Sequence, residues 1–134
     1  HTILLGLTSN NGSKDFQISS SDRNSLFRIV LEKSKKWKGS GNLMYVVGAT
    51  KSDHLKEIRS IIPDSFLLVP GVGAQGGDLK ETFENGVNKN IGLLINSSRS
   101  IIYAGNGDDY LDKSLQVVKA YQLEMNYLLN SLDD

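Results

Sequence analysis

Residues 66–77 read FLLVPGVGAQGG, and residues 78–86 continue DLKETFENG. An apolar run enters a loop of four glycines, one proline and a single polar side chain, Gln75, and a helical pattern opens at once beyond it. Asp78 followed three residues later by Glu81 has the form of a capping box. Strand, loop and helix in that order make one βα unit. The glycines allow positive φ and a close approach of backbone to a ligand. Backbone N–H groups of Gly71, Gly73, Gly76 and Gly77, with a helix N-terminus directly behind them, suit an anion. Gln75 could donate its amide to a phosphate oxygen or bridge to another part of the ligand. The same composition also suits a tight turn that binds nothing.

The unit repeats along the chain. Nearly continuous apolar runs occur at Thr2–Leu7, Leu43–Val47, Phe66–Val69 and Ile91–Ile95. Each closes on a polar, glycine-bearing or hydroxyl-bearing loop: TSNNGS, Gly48, Pro70-Gly71 and Asn96-Ser97-Ser98. Unbroken apolar runs, in place of alternating ones, suit strands of a parallel sheet buried on both faces. Helical patterns separate them. From Asp22 to about Lys38, Leu26, Val30 and Trp37 share a face. From Ser52, a candidate N-cap, Leu55, Ile58 and Ile62 form a stripe that Pro63 ends. The final helix carries Leu115, Val118, Gln122, Met125, Leu129 and Leu132. Four βα units in a row predict an α/β architecture with a parallel sheet. With every functional-looking loop at the same strand end, they predict half of a (β/α)8 TIM barrel, since a whole one runs to about 250 residues. No linker or low-complexity tract divides residues 1–134, which read as one unit.

Composition narrows the function. The 134 residues hold 15 Lys+Arg and 15 Asp+Glu, so no net charge favours nucleic acid or an acidic membrane. The absence of cysteine removes disulfides, thiolate nucleophiles and cysteine-based metal sites. No apolar run nears the roughly 20 residues of a bilayer span and no signal-peptide pattern is visible, so a soluble, cytoplasmic protein is expected. A chain opening on His1 instead of Met reads either as cut from a longer one or as carrying a tag remnant.

The fourth loop strengthens the anion reading. Asn96-Ser97-Ser98-Arg99-Ser100 leads into a helical pattern. Backbone N–H groups of Ser98 and Arg99 at a helix start, with a guanidinium beside them, suit a phosphate. The loops after the seventh and eighth strands commonly build the phosphate site of such barrels. For Arg99 alone, the competing reading is a surface salt bridge.

VVGAT, FLLVPGVGAQGGDL and INSSRSIIYA, in this order and spacing, resemble the C-terminal half of the orotidine 5′-phosphate decarboxylase family, in the variant whose first loop here reads TSN. The resemblance covers essentially the whole chain, from the fifth strand to the last helix. It implies a (β/α)8 barrel acting as a homodimer, which converts orotidine monophosphate to UMP and CO2 without cofactor or metal. It implies that Gln75 and Gly76 lie against the substrate, with Gln75 spanning phosphate and pyrimidine. It further implies that Arg99 and the N–H groups of Ser98 and Arg99 grip the phosphate, that Ser9 meets the pyrimidine amide edge, and that Pro70 shapes the pyrimidine pocket. Asn11 stands where many members carry proline. The family's D-x-K-x-x-D motif is absent, because Asp53-His54-Leu55-Lys56 has the wrong spacing and falls in a helical pattern. The resemblance therefore puts the catalytic lysine and aspartates in a missing N-terminal half, which becomes a required partner, and leaves no catalytic residue in this chain.

Other features have plainer readings. His1 and His54 are isolated, His54 on a solvent-facing helix position, so neither is read as a metal ligand. Lys33, Lys35, Lys36 and Lys38 around Trp37 read as a solvated helix face. Lys14-Asp15 reads as a solvated turn or as part of a lid, and Asp108-Asp109 as a loop. Two other functions remain open: a phosphate-binding half-barrel without catalysis, and a barrel decarboxylase for another sugar phosphate.

Overall fold

The computed structural model describes residues 1–18 and 25–132. The chain groups into two compact units, His1–Asn96 and Ser97–Asp134.

The first unit is a four-stranded sheet of β1 (Thr2–Leu7), β2 (Leu43–Val47), β3 (Leu67–Pro70) and β4 (Leu93–Asn96), in the spatial order β1-β2-β3-β4. All three pairings are parallel, and the register aligns Leu4 with Tyr45, Tyr45 with Leu67, and Leu67 with Leu93. The connections carry α1 (Ser13–Phe16), α2 (Leu26–Ser34), α3 (Ser52–Ile61) and α4 (Leu79–Gly86). Parallel crossovers are right-handed, so a strand order that never reverses puts every crossover helix on the same face. That face is the core. Leu7, Tyr45, Val47, Leu67 and Val69 meet it from the strands, and Phe27, Leu31, Leu55, Ile58, Leu79 and Phe83 from the helices; all are buried. Complete burial of each such side chain contributes about 1.5–3 kcal/mol.

The other face is bare. Ile3, Leu5 and Leu94 are 48%, 55% and 44% exposed. The apolar runs predicted burial on both faces, and within this chain it occurs on one.

Polar ties fix the helices. Ser34 Oγ and Tyr45 OH are 2.9 Å apart between α2 and the sheet. Arg28 reaches Glu57 at 2.5 Å between α2 and α3. Arg59 of α3 donates from Nε to the Gly86 carbonyl at 2.5 Å, from Nη1 to Ser65 at 2.6 Å, and from Nη2 to Gly92 at 2.8 Å. One planar fork thus ties together the end of α4 and the segments leading into β3 and β4. Burial pushes the Arg59 guanidinium down to about 10, an effect that nearby Asp64 opposes.

Several helix expectations need correction. Asp22–Asn24, the expected start of the first long helix, lie outside the described residues. That helix ends at Ser34 instead of near Lys38, so periodicity never reaches Trp37, which is 55% exposed. Its buried side chains are Phe27, Leu31 and Ser34, one i, i+4, i+7 stripe, and Leu26 faces out. The N-cap of α3 is Lys51, not Ser52; the Ser52 hydroxyl donates to Glu81 at 2.9 Å.

The second unit pairs α5 (Arg99–Ile102) with α6 (Tyr110–Asn130). Ser114 Oγ donates to the Ile101 carbonyl at 2.7 Å, and Tyr121 OH to Ser100 Oγ at 3.3 Å. These contacts rotate α6 away from the predicted stripe: Leu128 is its buried residue, while Leu115, Val118 and Leu132 are exposed. No helix among the described residues is long and apolar enough to cross a membrane.

An ammonium carries its three donors on one nitrogen and cannot span three carbonyls that Arg59 reaches from three separate nitrogens. Arg59→Lys is therefore expected to lower unfolding stability by about 2–4 kcal/mol. Urea titration followed by circular dichroism checks this, and a change below about 0.5 kcal/mol would remove Arg59 from that structural role.

Candidate ligand-binding site

The loop after β3 is more self-contained than its sequence suggests. Gly73 N–H donates to the Gly77 carbonyl at 2.9 Å, Gly76 N–H to Gly73 at 2.8 Å, and Gly77 N–H to Gly71 at 3.2 Å. Three of the four glycine donors expected to face an anion are thus engaged inside the loop. Asp78 caps α4 with its own carboxylate, accepting from Glu81 N–H at 2.7 Å, so this helix start already carries a negative charge. The reciprocal half of the capping box is absent, because Glu81 accepts from Ser52. Gly71 and Gly76, with φ of 99° and 82°, hold a conformation that side-chain-bearing residues rarely adopt. The outcome is a rigid turn that presents Gln75.

Gln75 meets Ser9. The Ser9 hydroxyl donates to Gln75 Oε1 at 2.6 Å, joining the loop after β1 to the loop after β3. The loop after β2 holds Ser9 in place. Thr50 Oγ1 donates to the Ser9 carbonyl at 3.0 Å, and Gly48 N–H donates to the Leu7 carbonyl at 2.8 Å. A Cβ on Gly48 would lie 2.5 Å from Ser9 N. Its φ of −64° suits any residue, so the requirement at Gly48 is space. The TSN loop is itself closed by Gln17, which accepts from Thr8 N–H at 2.8 Å, and by the short turn of α1. Asn11 is accommodated there, its carbonyl accepting from Lys14 N–H at 3.1 Å.

These three loops enclose a cleft of about 620 Å³ at the carboxyl ends of β1, β2 and β3, lined in part by Ser9, Lys14, Thr50, Lys51, His54 and Gln75. This volume is in the range of small-molecule sites. Of the expected site residues, the structure brings Ser9 and Gln75 together here. Gly76 adjoins Gln75 with its N–H engaged, and Pro70 ends β3 in register with Asn96. Sequence reasoning missed Lys51 and His54. His54 is half-buried, not solvent-facing: its ring stands edge-on to Phe27 at 5.6 Å, and Nδ1 is buried without a hydrogen-bond partner among the described residues. The available signal was position, since both residues directly follow the VVGAT strand end.

In the second unit, Ser98 is the N-cap of α5 and no side chain caps that helix. The Ser98 carbonyl accepts from the Ile101 and Ile102 N–H groups. Arg99 is exposed and forms no ion pair among the described residues, so the salt-bridge reading is not what the structure holds.

No family model matches the chain. Over 131 residues it is 53% identical to the orotidine 5′-phosphate decarboxylase of Flavobacterium johnsoniae, covering 98% of this chain and 48% of that protein. Its chain is homologous to orotidine 5′-phosphate decarboxylase over about half that protein's length. The corresponding protein of Christiangramia forsetii is 54% identical over 132 residues, with the same coverage. Among solved structures, the OMP decarboxylase of Leishmania donovani superposes with a TM-score of 0.73 at 30% identity, covering 94% of this chain and 47% of that one. The UMP synthase of the same organism gives 0.75 at 34% identity, covering 94% of this chain and 27% of that one. The four parallel strands and their helices thus match part of the OMP decarboxylase barrel.

Gly48→Ala is expected to push Ser9 off Gln75, at a cost of about 1–3 kcal/mol for the forced contact. Urea unfolding, together with the amide resonances of Ser9 and Gln75, reads both effects; unchanged resonances in the variant would contradict the steric account.

Proposed function

We propose that this chain is the phosphate- and pyrimidine-binding half of an orotidine 5′-phosphate decarboxylase, the C-terminal half of a (β/α)8 barrel. The complete enzyme would convert orotidine monophosphate to UMP and CO2 in the cytoplasm, as a homodimer and without cofactor. The observation that carries the reading is the Ser9–Gln75 hydrogen bond, which joins the TSN and GVGAQGG motifs in one cleft. Identity above 50% to named decarboxylases supports it.

Ser9 would meet the amide edge of the pyrimidine, because a hydroxyl both donates and accepts. Gln75 would exchange its bond to Ser9 for the ligand, using its amide N–H on the phosphate. Gly76 would contribute the turn that aims Gln75, and Pro70 a wall of the pyrimidine pocket. Arg99, exposed and without an ion pair among the described residues, would supply a bidentate charge to the phosphate, aided by the N–H groups of Ser98 and Arg99. The bare sheet face of Ile3, Leu5 and Leu94 would be covered by the remaining strands of the barrel.

The bond-breaking groups would belong to that other half, since this sequence holds no D-x-K-x-x-D motif. There the carboxylate would leave as CO2, its bonding electron pair would stay on the pyrimidine carbon, and a lysine would deliver the proton. Binding energy from the phosphate, remote from that carbon, lowers the barrier only if it tightens toward the transition state. Phosphate grip and chemistry would thus be coupled across the two halves.

Calorimetric titration with UMP tests the assignment. Wild type is expected to bind, and Arg99→Ala to weaken binding by about 2 kcal/mol, roughly thirtyfold. If a folded chain binds no UMP alone or with the complementary half of a relative added, the assignment is wrong.

A further inference from the structure

Lys51 brings a cation with no counter-ion to the cleft. Only 8% of the residue is exposed, and among the described residues its side chain makes neither an ion pair nor a hydrogen bond. Its stem is buried while the ammonium keeps an opening to the cleft. Its position also favours an anion. Lys51 is the N-cap of α3, a ten-residue helix, and no side chain caps that end. A helix N-terminus carries partial positive charge and favours an anion, so a lysine there has the wrong sign. Ser52, the hydroxyl best placed to cap, is turned to Glu81 instead.

The surroundings repeat the imbalance. Lys51 lines the cleft beside Lys14, Asp53 and His54. Two lysines face one aspartate, and that aspartate is exposed. The His54 Nδ1 atom, in the same helix turn, is enclosed and has no hydrogen-bond partner among the described residues. Two features therefore meet at the cleft: an ammonium with no counter-ion among the described residues and a helix start without a side-chain cap. Both are relieved by negative charge arriving from the cleft.

We propose that this wall is a second anion subsite, separate from the phosphate contacts assigned to Gln75 and Arg99, which takes a small oxyanion such as inorganic phosphate. Lys51 supplies the charge, the first turn of α3 the dipole, and Lys14 a second cation at the rim. The proposal goes beyond the decarboxylase reading and rests on the first unit alone. Its occupant would share the cleft with Ser9 and Gln75, so it would also change the affinity of whatever binds those residues.

Inorganic phosphate titrated into ¹⁵N-labelled wild-type chain is the first arm. Saturable shifts at the amides of Lys51, Ser52, Asp53 and His54 are expected; no shift in a folded chain at up to about 20 mM phosphate, well above a weak site's affinity of about 1 mM, overturns the proposal. The second arm compares calorimetric phosphate affinity across variants shown by circular dichroism to be folded. Lys51→Met should weaken binding at least about tenfold. Lys51→Arg should retain it. Equal affinity in Lys51→Met and wild type overturns the subsite, as does loss confined to Arg99→Ala, which would assign phosphate to the nucleotide contacts. UMP titration of Lys51→Met separates the two readings: lost phosphate binding with retained UMP binding supports the subsite, whereas joint loss of both overturns its separateness. Should Lys51→Met fail to fold, the first arm decides alone.

Discussion

A parallel sheet whose strands follow one another in space as they do in sequence is covered by its own crossover helices on one face only. Right-handed crossovers put α2, α3 and α4 on the same side of β1-β2-β3-β4. The core, the direction in which the loops emerge and the bare apolar face all follow. Because every strand points the same way, the loops after β1, β2 and β3 gather at one end, where the cleft forms. The residues on the uncovered face are as apolar as those in the core, and Leu5, Val46, Leu68 and Leu94 stay in register across it.

The cleft depends on close backbone approaches more than on strong side-chain bonds. Gly48 lets the loop after β2 touch Ser9, and Gly77 lets the turn of Gln75 close over Ala49, where a Cβ would lie 2.3 Å from the Ala49 Cβ. Neither glycine carries a functional group. Each removes a methyl that would separate two loops, and so sets the Ser9–Gln75 distance. The GVGAQGG segment answers to the same logic: its donors close on its own carbonyls, and rigidity, not a row of free N–H groups, is what the glycines provide. Arg59 plays the matching role at the opposite end of the strands by tying three carbonyls to one side chain.

Much of this was legible in the residues. The four strands, their parallel arrangement and the αβ order followed from short apolar runs closed by turn residues. Asp78 as a cap followed from its spacing to Glu81. The misreadings share one cause: periodicity reports that a helix has an apolar face without saying how the helix is rotated or where it stops. Thus Phe27 and Leu31, not Leu26 and Val30, line the core, and α6 turns Leu128 inward while Leu115 stays exposed. His54 and Lys51 escaped because a polar residue at a helix start looks solvated until neighbouring loops fold over it.

Sequence by itself determined the element types, the loops that carry the chemistry and the likeness to a named family, since these rest on local pattern and short motifs. Tertiary structure alone decided that Ser9 and Gln75, 66 positions apart, share a hydrogen bond. It also decided that Lys51 lies largely buried at the cleft with no ion pair among the described residues, and that one sheet face stays open. Those facts concern distances between segments that the chain brings together only on folding, and no local pattern encodes them.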